Sequence, residues 1–150
     1  MDAQEIISLQ EFQLGERFIK AGLTESELKA LLPFSMDESK RLHKIIDFYN
    51  NDSYLKSHYA STDWFTSIPE SEHKIEKFRT IVSSNLLHFE EAIIISWNRR
   101  LALKCSKRIF LKYWYVFLKP HTDHVTIVSE KMNWVLFFSS YGVSNLWYKN

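Results

Sequence analysis

The sequence predicts an all-α fold, a single helical domain spanning 1–150, and three observations lead there. Apolar residues recur at helical spacing in most segments. Glycine and proline number three each, too few for a network of β-turns. No segment shows the regular apolar–polar alternation of a half-buried strand. Element by element, Ile6, Ile7, Leu9, Leu14, Phe18 and Ile19 place a first helix within 4–21, with Gly22 as its stop. Thr24 and Glu27 form a capping box that opens a short helix at 25–32. Pro33 ends it, because proline disfavours helical geometry in the residue before it. Ser35 is the next N-cap, with Asp37 and Glu38 in the dipole-favoured first turn. Leu42, Ile45, Ile46 and Tyr49 mark one face of a helix over 36–49.

Residues 50–72 read as a loop pinned by Trp64 and Phe65. A long helix follows at 71–97, carrying Ile75, Phe78, Ile81, Val82, Leu86, Phe89 and Ile93 on one side. Another covers 98–118 and breaks at Pro120. The segment 125–141 is the last helix, although the β-branched content of HVTIV also suits a strand. Gly142 closes it, and VSNLWYKN is a tail.

Composition narrows the function classes. Apolar residues are 45% and charged residues 25%, an ordinary soluble balance, while aromatics reach 15%. A net charge of +1 supplies no global field toward nucleic acid or membrane, so polyanion binding has to rest on local clustering. The lone Cys105 makes no internal disulfide and reads as a small buried apolar residue, consistent with a reducing bacterial cytoplasm. The acidic start MDAQEII lacks the basic region of a signal peptide. The longest apolar stretches fall well short of the roughly 20 residues of a membrane span.

Three constellations are candidates for chemistry. The corner at 21–49 resembles a helix-turn-helix, whose second helix would offer Lys40, Arg41, His43 and Lys44 to phosphates. Asp37 and Glu38 stand where base contacts are usual, and the alternative is a helical hairpin with a solvated face. The second constellation is cationic: Arg99, Arg100, Lys104, Lys107, Arg108, Lys112 and Lys119, with no acid between Glu91 and Asp123. On one helix Arg100, Lys104, Lys107 and Arg108 share a face, a polyanion footprint. The alternative is a solvated face opposite a core side of Leu101, Cys105, Ile109 and Trp114. The third is His121, Asp123 and His124, three metal-type donors without a fourth ligand or a scaffold, so no metal and no cofactor is assigned. No nucleophile constellation or phosphate loop is present, and adjacent Glu90 and Glu91 point apart on a helix, so no enzyme activity is assigned.

STDWF at 61–65, the Leu14-Gly15 step, and the spaced positions Trp134, Val135, Phe138, Gly142 and Leu146 carry a resemblance. The chain resembles the FlhC family, the larger subunits of the flagellar master transcriptional activator, over about residues 10–148. The resemblance implies promoter binding to double-stranded DNA as a hetero-oligomer with a small helical FlhD-like partner, in flagellar, plasmid or phage control. The zinc-binding cysteine segment of that family has no counterpart here, because no CxxC occurs.

Five tryptophans and eleven phenylalanines are hard to hide in one small core, so exposed rings mark an interface. Trp64, Phe65, Phe137 and Phe138 are its candidate anchors. The expected function is therefore a cytoplasmic transcription regulator, with the basic segment 99–112 on phosphates and Lys40, Arg41 and Lys44 as secondary contacts. No membrane and no small-molecule substrate are inferred. The alternative is a non-enzymatic protein-interaction module (adaptor, inhibitor or immunity protein) working through its aromatic surface.

Overall fold

The structure, a computed structural model, describes residues 5–86, 89–118 and 124–149. It corrects the all-α expectation: an eight-stranded antiparallel sheet forms the middle of the molecule. In chain order, the first half contains α1 (Gly15–Lys20), α2 (Glu25–Lys29), β1 (Leu32–Pro33), α3 (Met36–Tyr49), α4 (Asp52–His58), β2 (Ala60–Ser61) and β3 (Phe65–Thr66). The second half contains α5 (Glu72–Asn85), β4 (Ile93–Asn98), β5 (Leu101–Cys105), α6 (Lys107–Phe117), β6 (Val125–Ser129), β7 (Trp134–Ser139) and β8 (Val143–Tyr148). The strands lie in the order β1-β5-β4-β6-β7-β8-β2, and β3 also pairs with β8.

Where structure depends on nearest neighbours, the expectations hold. Thr24 and Glu27 form the capping box. The Ser35 side chain accepts from the Glu38 N–H and opens α3, which runs over the predicted 36–49. The helix-turn-helix corner is corrected, because β1 lies between α2 and α3 and pairs with β5, Leu32 opposite Lys104. The chain there is helix–strand–helix, fastened to a sheet edge.

The long helix at 71–97 ends at Asn85, and its last apolar residues enter β4 instead. The helix at 98–118 divides into β5 and α6. The helix at 125–141 is the β6–β7 hairpin, and the tail is β8, paired with β7 from Trp134–Tyr148 to Ser139–Val143. The loop at 50–72 contains α4, β2 and β3. Two turns secure the hairpins. Asn98 Oδ1 accepts from the Arg100 and Leu101 N–H groups at 2.8 and 3.1 Å. Gly142 takes φ +83° between β7 and β8, and its N–H donates to Ser139 O at 2.9 Å.

The strands escaped notice because both faces of the sheet are covered. A strand buried on two sides reads as a continuous apolar run, not as an alternation. Ile93 and Ile95 belong to the main core, and Ile94 between them belongs to a second, smaller cluster. On the main-core face α5 and α6 pack with α1 over the sheet, and Phe78 stacks on Trp114 with centroids 3.9 Å apart. Trp97 Nε1 donates to Phe117 O at 2.7 Å, and Phe18 packs on Phe117. On the other face α3 and α4 bring Ile46, Leu55 and Tyr59 against Val128 and Val135. Burial pushes the Tyr59 hydroxyl up to about 12, and its proton is donated to the Met132 carbonyl at 2.5 Å. Cys105 is buried in the main core, which pushes its thiol up and makes it inert. No helix among the described residues is long and apolar enough to cross a membrane.

Candidate binding cleft

The second face of the sheet is only partly roofed. Between α3, α4 and the exposed ends of β6, β7 and β8 lies a cleft of about 580 Å³. Strand alternation builds its floor. Phe137 sits opposite Asn145 in the β7–β8 ladder, and Trp147 is two residues on, so all three point to this face while Leu136 and Leu146 point to the main core. Thr126 and Ser139 add hydroxyls. Asp47 and Asn50 enter from the C-terminal end of α3, Leu55 and Lys56 from α4, and His124 from the start of β6. Asn50 is held in place as the α3 C-cap, its N–H donating to Ile46 O at 3.0 Å. The Ser140 N–H meets His124 Nδ1 at 3.3 Å.

Trp64 forms one wall, and STDWF explains its position. Ser61 pairs with Trp147 and Phe65 with Ser144, so both ends of the motif are fastened to β8. Thr62 exchanges hydrogen bonds with the Leu146 backbone at 2.9 and 3.1 Å. The residues between the two short strands bulge outward, and Trp64 stays 59% exposed at the cleft.

A recess of about 190 Å³ adjoins the cleft and shares Asp47, Asn50, His124 and Thr126 with it; Ser96 lies at its base. Five buried side-chain polar atoms lack a hydrogen-bond partner among the described residues. Three of them belong to residues that line the cleft or the recess: Asn50 in both, Asn145 in the cleft and Ser96 in the recess. Buried polar groups are almost always paired, and each orphan costs about 1–3 kcal/mol; Ser96 and Asn145 lie three strands apart, through Thr126 and Phe137, so these orphans are spread along the second face. The carboxylate of Asp47 joins no ion pair among the described residues.

The four expected anchors divide. Trp64 and Phe137 face the cleft. Phe138 borders it but is 1% exposed and packed into the main core. Phe65 turns the other way, onto Phe78 at 5.7 Å. Sequence reasoning missed Asp47, Asn50, Ser96, Asn145 and Trp147. The one available signal was the glycine at 142 followed by VSNLWY, a hairpin's second strand read as a tail.

The single cationic rod is also corrected, because its residues come from three elements. Arg99 and Arg100 occupy the β4–β5 turn. Lys104 lies on β5, in register with Ile94 and therefore on the second face, and its Nζ is 2.7 Å from Glu130 Oε1. Arg108 stands on α6, over the main-core face. Lys107 caps the end of the segment after α5, its Nζ donating to the Leu86 and Phe89 carbonyls at 2.7 and 2.8 Å. Lys112 pairs with Glu27 at 2.9 Å. With the Tyr113 hydroxyl, the Thr24 N–H and Lys112 all on it, the Glu27 carboxyl is lowered to about 2. On α3, Arg41 pairs with the buried Glu38, and Lys40 and Lys44 are exposed. Lys119, His121 and Asp123, with the metal reading they supported, lie outside the described residues; among the described ones no cluster of metal-type donors occurs.

No family profile, curated protein or solved structure matches this chain.

Proposed function

We propose that this chain is a non-enzymatic protein-interaction module that seats a segment of a partner protein in the cleft on the second sheet face. One observation carries the reading: Trp64, Phe137 and Trp147, far apart in sequence, line one cleft that no described part of the chain fills. Aromatic walls around a few polar groups are the usual anatomy of a binding cleft, with rings as the energetic anchors. Phe48, 77% exposed on the last turn of α3, extends the apolar surface beyond the cleft with Ile45, Tyr49 and the stem of Lys44.

Promoter binding, the expectation drawn from the FlhC likeness, loses the stripe on which it was argued, since Lys104, Lys107 and Lys112 are engaged within the protein, as is Arg41 on α3. The deciding experiment compares the tagged wild-type chain with Trp64→Ala, both purified from the native host after nuclease treatment. A protein that stays with the wild type through 50–200 mM salt and is absent from the variant supports the module. Retained nucleic acid that is released steeply over about that salt range, with no protein dependent on Trp64, overturns it.

A further inference from the structure

The cleft does not end at its aromatic walls. It opens into the recess, whose far side is Ser96 and Trp97 near the end of β4. The chain then turns at once, Asn98 pairing with Leu101, so the β4–β5 turn stands at the outer end of this groove. Arg99 and Arg100 occupy that turn and are exposed. Neither guanidinium joins an ion pair among the described residues. Of the cationic cluster read from the sequence, Lys104, Lys107 and Lys112 are engaged within the protein, and Arg108 stands over the other sheet face. Only Arg99 and Arg100 are both unengaged and placed at the groove.

We infer that the partner segment seated in the cleft is acidic at one end, with apolar side chains against Trp64, Phe137 and Trp147 and carboxylates at Arg99 and Arg100. The inference rests on the interaction reading and adds the composition of the partner and the place of its charge. A guanidinium meets a carboxylate with two parallel N–H donors, and charges at the rim of an interface select which partner is accepted. Lys56 adds a third cation at the cleft. Asp47 is the one carboxylate among the described residues that line cleft and recess, and it lies between the rings and the arginines. That order favours a peptide over a nucleic-acid strand. A strand carries a phosphate at every nucleotide and brings one beside Asp47, whereas a peptide keeps its acids at the arginine end.

The test selects displayed random dodecapeptides on the whole chain and removes those that also bind Trp64→Ala. The expected result is a set of peptides with aromatic or aliphatic residues in one half and clustered Asp or Glu in the other. Their synthetic forms, followed by fluorescence anisotropy, should bind the double variant Arg99→Glu, Arg100→Glu about tenfold more weakly, as expected when two rim attractions become repulsions. The control Lys77→Glu, Arg108→Glu changes net charge equally, at exposed positions on α5 and α6, and should leave binding unchanged. Backbone N–H groups hold the β4–β5 turn, so circular dichroism of the arginine variant should match wild type. Selected peptides without an acidic excess, no loss in the arginine variant, or equal losses in both double variants each overturn the acidic end. So does an oligothymidylate dodecamer that binds through Arg99 and Arg100 more tightly than every selected peptide, which assigns the turn to nucleic acid. If the acidic end fails while a host protein is still retained through Trp64, the interaction reading stands without it. If neither a peptide nor a host protein depends on Trp64, both fall.

Discussion

The two faces of the sheet are built from the same strands and are finished differently. The main-core face is closed by α1, α5 and α6, with Phe78 on Trp114 and Trp97 bonded to a backbone carbonyl. The opposite face carries α3 and α4 over β4–β7 and then stops, leaving Phe137, Asn145 and Trp147 under a gap. The first face shows what packing demands: rings in contact, with the Trp97 and Trp114 indoles bonded to backbone carbonyls and Trp134 Nε1 left without a partner among the described residues. The second keeps buried oxygens unbonded and a tryptophan in solvent, arrangements that cost stability and are retained where a surface has work to do.

That contrast can be broken most forcefully with a pair of tryptophans. Trp114→Ala removes a fully buried ring and should destabilise the fold by about 3–5 kcal/mol, while Trp64→Ala should change stability by no more than about 0.5 kcal/mol. Urea unfolding of both variants measures the difference, and equal losses would mean that the cleft wall is part of the core. Next in size is Asn145→Leu, which replaces an orphaned amide by an apolar group of similar volume. It should raise stability by about 1 kcal/mol, seen as a higher urea midpoint with unchanged slope. A loss of stability would mean that the amide has a structural partner.

The smallest effect belongs to the α2–α6 tie on the closed side. The folded pKa of Glu27 lies below its ordinary 4.5, at about 2. The carboxylate therefore stabilises the fold fully above pH 4.5, and this contribution fades as pH falls toward about 2. Glu27→Gln should flatten that part of the stability–pH curve and leave the neutral-pH spectrum of α2 and α6 unchanged. A curve as steep as wild type would assign the acid sensitivity to other carboxylates.

Much of the local structure was legible. Thr24 and Ser35 start helices because a cap is satisfied by a backbone N–H three residues away, and α3 keeps its predicted bounds for the same reason. The pattern at 71–118 misled because its apolar residues fit two periods at once. Ile93, Ile94 and Ile95 are all covered when helices or loops lie on both sheet faces, which removes the polar beats that announce a strand. The cationic rod at 99–112 failed with that helix, because a turn and a strand send neighbouring side chains to opposite sides. Of the cleft, only Trp64, Phe137 and the bordering Phe138 were visible in advance.

The amino-acid order alone settled what neighbours within a few residues decide: the caps, the span of α3, and the abundance of aromatic side chains that some surface has to hold. Tertiary structure decided which rings are core and which are wall, and it alone brought Asp47, Asn50 and Asn145 to one cleft. The reason is the range of the forces. A cap closes its hydrogen bond within one helical turn, whereas strand register and two-sided burial depend on partners dozens of residues away.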